Sequence, residues 1–80
     1  MADKVNQDIS IGENLAKYRR QKKLTQEDVA VRLQVQGFDL HRVTISQMER
    51  GVHGIRVSVL LALAQLYGVE PGDFFRDLEG

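Results

Sequence analysis

Cysteine and tryptophan are absent from the 80 residues, and proline occurs once. Without cysteine there is no disulfide, no thiol nucleophile and no thiolate zinc site. A single proline leaves little to interrupt helices. Charge of neither sign is in excess: 11 Lys and Arg balance 11 Asp and Glu. A net charge of zero argues at first against a nucleic-acid partner, whose footprint is usually a basic surplus. No apolar run approaches the roughly 18 residues of a membrane span, and Met1-Ala2-Asp3-Lys4 does not open a signal peptide. What is present, 42% hydrophobic residues, suffices for one core and not two. Composition leads to the expectation of one small, cytoplasmic, helical domain.

Residues 1–8 are polar and unpatterned and read as a flexible N-terminal arm, with the domain proper over 9–80. Ile11, Leu15 and Tyr18 then recur at i, i+4 and i+7, predicting a helix from about Gly12 to Lys23. Ser10, three residues before Glu13, has the spacing of a capping box. Thr25 reads as the cap of a second helix with Glu27 and Asp28 in its first turn, a stripe of Val29, Ala30 and Leu33, and an end near Gln36. Gly37 suits the C-terminal position that needs a positive φ, with Phe38 as the apolar contact that follows. A third helix starts between Asp39 and Arg42, turns Ile45 and Met48 inward, and ends at Arg50-Gly51. His53-Gly54-Ile55-Arg56 reads as a loop. A fourth helix carries Val57, Leu60, Leu61, Ala64 and Tyr67, and a fifth runs from Pro71 to Leu78 on Phe74 and Phe75. The expected fold is all-α, a compact five-helix bundle.

Neither histidine, His41 or His53, has a partner at metal-ligand spacing. The serines and threonines have cap or surface explanations and no nucleophile motif around them. No enzyme activity, metal or cofactor is expected. The centre of the chain is more informative. Two helices joined by a short glycine-containing connection, over about 25–51, form a helix-turn-helix, whose second helix can lie in the major groove. With Ile45, Met48 and Glu49 inward, that helix turns Arg42, Val43, Ser46, Gln47 and Arg50 outward. Arg can bond guanine O6 and N7, Gln can bond adenine N6 and N7, and Val can touch a thymine methyl. The set contains no acid.

Leu24-Thr25-Gln26-Glu27-Asp28-Val29-Ala30 and Thr44-Ile45-Ser46-Gln47-Met48-Glu49-Arg50-Gly51 resemble the two signature segments of the Cro/lambda-repressor-like, or xenobiotic-response-element, helix-turn-helix family. Leu60 to Val69 is similar to its fourth helix and the turn after it. The resemblance covers about residues 11 to 77. It implies a five-helix transcriptional regulator that binds double-stranded operator DNA, generally as a dimer. It also implies that Arg42, Val43 and Gln47 read bases, and that Gln26, Thr44, Ser46, Arg50 and Arg56 face the DNA backbone. Arg19 and Glu49 would form an ion pair bridging the first and third helices. The connection from Leu33 to Thr44 is about five residues longer than the usual family turn, so His41 or Asp39 can cap the recognition helix. Asp39 is expected to fold toward its own backbone as a turn residue.

Two rival functions compete with this one. The same fold can serve as a protein-interaction module, such as an antitoxin bound to a toxin, or an adaptor for another regulator. The polar, cationic face from Arg42 to Arg50 favours DNA over an apolar partner. A ligand-sensing regulator finds little room after the fifth helix. Pairing of two copies, at least on DNA, is expected because one short helix reads few base pairs, and half-sites about 34 Å apart restore specificity. Leu66, Tyr67, Val69, Phe74, Phe75 and Leu78 offer more apolar area than a short helix needs, with one of the two phenylalanines assigned to the core. The neutral total also divides unevenly. From Lys17 to Arg56 nine cations meet four acids, a net +5, and the remaining residues carry −5. A basic centre with acidic ends predicts weak non-specific affinity and dependence on the right sequence.

Overall fold

The computed structural model describes residues 4, 5, 7 and 9–78. Four α-helices carry the fold: α1 Gly12–Gln21, α2 Gln26–Val35, α3 Arg42–Glu49 and α4 Val57–Tyr67. They are joined by a short antiparallel pair, β1 Lys4–Val5 and β2 Ile55–Arg56, and by a 3₁₀ turn at Pro71–Phe75.

The start of α2 follows directly from its sequence. Thr25 Oγ1 accepts the Asp28 N–H at 3.0 Å, and the Asp28 carboxylate accepts the Thr25 N–H at 2.8 Å, closing a reciprocal capping box. Val29, Ala30 and Leu33 are fully buried. At the other end, Phe38 N–H reaches back to Leu33 O at 3.0 Å with Gly37 at φ +98°, a turn closed by a residue with no Cβ to clash. α3 ends the same way, Val52 N–H on Gln47 O with Gly51 at φ +77°. At the end of α1 this position falls to Lys23, which holds φ +58° without a glycine's freedom.

Several expectations need correction. The helix at the chain's end is a five-residue 3₁₀ turn, not a helix from Pro71 to Leu78. The Asn14 amide donates to Phe74 O and Arg76 O, each at 2.9 Å, and the first of these is the carbonyl that a helix continued to Leu78 would bond to the Leu78 N–H. Ser10 does not form a capping box with Glu13: its Oγ accepts the Gly12 N–H at 3.0 Å, and the helix begins after Ile11. Ile55–Arg56 is a strand rather than a loop. Positions 1–3, 6 and 8 of the expected arm lie outside the described residues. Lys4 and Val5 pair with Arg56 and Ile55, and the Gln7 amide donates to Met48 O at 3.1 Å and His53 O at 2.8 Å. On α4 the inward set includes Val59 and Leu63, whereas Val57 and Leu61 are exposed.

The core joins Ile11 and Leu15 to the buried stripes of α2, α3 and α4. Phe74 closes it from below, fully buried and edge-on to Tyr18 at 5.9 Å and Tyr67 at 6.2 Å. Burying an aromatic of this size contributes about 1.5–3 kcal/mol. Phe75 stays exposed, while Leu66, Val69 and Leu78 are half-buried. One phenylalanine is thus core and the other is not. Among the described residues no helix is long and apolar enough to cross a membrane, and no acidic, His or Cys group could hold a metal ion.

Candidate nucleic-acid interface

The position of α3 is set by one carboxylate. Glu49 Oε2 accepts Arg19 Nε at 2.7 Å, and its Oε1 accepts both Arg19 Nη2 and Gln26 Nε2 at 3.0 Å. Arg19 Nη1 donates to Leu24 O at 2.8 Å. The last turn of α1, the first residue of α2 and the last of α3 are therefore tied at one point. The Arg19 and Glu49 side chains are only 11% and 7% exposed, so the pair works in a medium that screens it little. The bond to Glu49 raises the Arg19 pKa further above its ordinary range. Tyr67 lies against the same pair; burial first, then the Glu49 charge, pushes its phenol well above the usual tyrosine value.

After the turn at Gln36 and Gly37, residues 38–41 lead the chain into α3. Phe38 and Leu40 alternate inward with Asp39 and His41 outward, so the extra length becomes packing rather than a protruding loop. Gln34 Nε2 fastens it through Leu40 O at 2.7 Å. His41 occupies the cap position in extended conformation and Arg42 is the first helical residue; Asp39 does not cap. Nor does Asp39 fold toward its own backbone: its exposed carboxylate meets His41 Nε2 at 3.1 Å. Arg42 and Val43 therefore stand at the tip of the helix.

At 3.6 residues per turn, 42, 43, 46, 47 and 50 occupy one side of α3, with Ile45 and Met48 buried on the other. Arg42, Val43 and Arg50 are exposed, and Ser46 and Gln47 are half-buried. The residues expected at a nucleic-acid backbone fall on two flanks of this helix. Gln26, Ser46 and Arg50 line one hollow together with Lys17, Arg20 and Glu13. Thr44 and Arg56 line a second cleft with Lys4. Lys17, Arg20 and Lys4 were not singled out by sequence reasoning. The spacing of Lys17 and Arg20 on one face of α1 was a readable signal, whereas the approach of Lys4 depends on the strand pairing. The Gln26 amide faces Glu49, which leaves it bracing α3 at the edge of the hollow.

The arrangement is a short rigid helix offering hydrogen-bond donors, an apolar methyl surface and no carboxylate on its outer side, flanked by cations. A family model described as "Helix-turn-helix domain" matches residues 10–77. No curated protein sequence matches the chain. Among solved structures, the crystal structure of the DNA-binding domain of BldD is similar at 27% identity, covering 92% of this chain and 97% of that one with a TM-score of 0.66. The chain belongs to the helix-turn-helix domain family, in its Cro/lambda-repressor-like form.

Proposed function

We propose that this domain binds double-stranded DNA in a sequence-specific manner and acts as a transcriptional regulator. In this reading α3 enters the major groove, where Arg42, Val43 and Gln47 meet base edges. Gln26, Thr44, Ser46, Arg50 and Arg56 meet the sugar-phosphate backbone. The observation that carries the reading is the outer side of α3, cationic and free of acid, held by the buried Arg19–Glu49–Gln26 junction. A braced helix suits base readout because each bidentate contact depends on sub-ångström placement. The similarity to a domain described as DNA-binding supports it from outside the chain.

The domain works in this reading without catalysis or cofactor, in the cytoplasm, and as a homodimer at least on DNA. Exposed Phe75 with half-buried Leu66, Val69 and Leu78 gives a second copy an apolar surface to cover. Selection from a random duplex pool, followed by salt titration of the winning sequence, tests the proposal. A defined consensus is expected, and Arg50→Ala should reduce the salt slope by about 0.9 as one phosphate contact is lost. Failure to enrich any sequence, with no salt-dependent binding to duplex, would overturn it.

A further inference from the structure

β1 and β2 place Lys4 directly opposite Arg56. Both side chains are exposed, and no ion pair joins either to a carboxylate among the described residues. Like charges facing each other across antiparallel strands destabilise the pair. A ladder of two residues has little of its own to offset that. It is held in place from beside it, by Gln7 bonding Met48 O and His53 O at the end of α3 and in the following loop. The fold thus keeps two cations together at a cost. They sit in the cleft of about 370 Å³ whose wall includes Thr44 on the flank of α3. Asp39, the one acid lining that cleft among the described residues, has its carboxylate on His41.

We infer that Lys4 and Arg56 together receive one phosphate of the DNA backbone beside the N-terminal half of α3. An oxyanion between the two cations converts their repulsion into two charge-assisted bonds. Thr44, which lines the same cleft, supplies a hydroxyl. Lys4 is thereby a DNA-contacting residue that belongs to the basic surface, although in sequence it lies among the acidic remainder. The inference rests on the proposed DNA binding. It assigns a positioning contact that strengthens binding to all sequences alike, because phosphates carry no base information.

The test measures wild type, Lys4→Gln and Lys4→Glu against the selected duplex and an unrelated one over a range of salt, with thermal unfolding of each protein. Lys4→Gln should weaken both duplexes by the same factor and lower the salt slope, by less than the roughly 0.9 of a whole phosphate contact because Arg56 stays on the same phosphate. Lys4→Glu should bind more weakly still while raising the Tm, since it places opposite charges across the strands. Wild-type binding with an unchanged slope in Lys4→Gln overturns this assignment alone. Absence of duplex binding by the wild type overturns the DNA reading along with it. Inorganic phosphate that raises the wild-type Tm through Lys4, yet leaves duplex binding unaltered, would give the pair to free phosphate and overturn the DNA contact.

Discussion

Glu49 accepts three hydrogen bonds from two other helices, and removing its charge strands the Arg19 guanidinium in a nearly buried position. Breaking such a pair from one side costs about 3–5 kcal/mol, whereas replacing both partners with apolar residues is often close to neutral. Denaturant unfolding of Glu49→Gln should therefore show a loss of about 3 kcal/mol, and Arg19→Met with Glu49→Leu should recover most of it. A double variant as unstable as the single one would contradict this role. Asp28 makes a pH-dependent contribution of another kind. The bonds with Thr25, backbone first and hydroxyl second, hold its carboxyl below the usual range. The lower folded-state pKa means that its stabilisation is complete above the unfolded value of about 3.9 and is lost as pH falls through the folded one. Unfolding of wild type and Asp28→Asn from about pH 6 to pH 2 should show a gap that closes on the acid side. A gap that widens in acid would reverse the sign and refute the assignment.

Two glycines separate packing from conformation at the level of the elements. A Cβ on Gly12 would run into the Glu49 carbonyl, where the first turn of α1 meets the last residue of α3 backbone to backbone. Backbone cannot swing aside as a side-chain tip can, so Gly12→Ala should cost about 3 kcal/mol, at the upper end for overpacking. Gly72, in the 3₁₀ turn, has nothing within 4 Å of the same atom, and Gly72→Ala should leave the Tm almost unchanged. Equal losses in the two variants, read by thermal unfolding, would remove the close approach as the cause. The helices themselves were legible from local signals: the Thr25 cap, the Gly37 and Gly51 stops, and the 3.6-residue stripes. The elements that differed depend on distant partners. The final helix is cut short by Asn14, 60 residues away from Phe74, and β2 exists only because Lys4–Val5 returns to it. No local period or propensity announces either contact.

For the molecule as a whole, neutrality conceals a basic centre and acidic ends, and the fold rearranges that division. Lys17 and Arg20 from α1 join Arg50 on one flank of α3, and Lys4 crosses from the acidic N-terminal stretch to the other. The outer side of α3 could be read from the sequence, since one helical period fixes which residues share it. Its flanks could not, because four separate segments, α1, α2, β1 and β2, build them. The corresponding electrostatic expectation is a shallow salt dependence from few phosphate contacts, with modest affinity for unrelated DNA. The central claim, that α3 reads bases, is tested most directly by the affinity of wild type and Gln47→Ala for the selected duplex and its single-base-pair variants at fixed salt. Gln47→Ala should lose about 1–3 kcal/mol of discrimination at one base pair and keep its preferences elsewhere. A variant that weakens equally on every duplex, or retains the wild-type preference at every position, would contradict readout by α3.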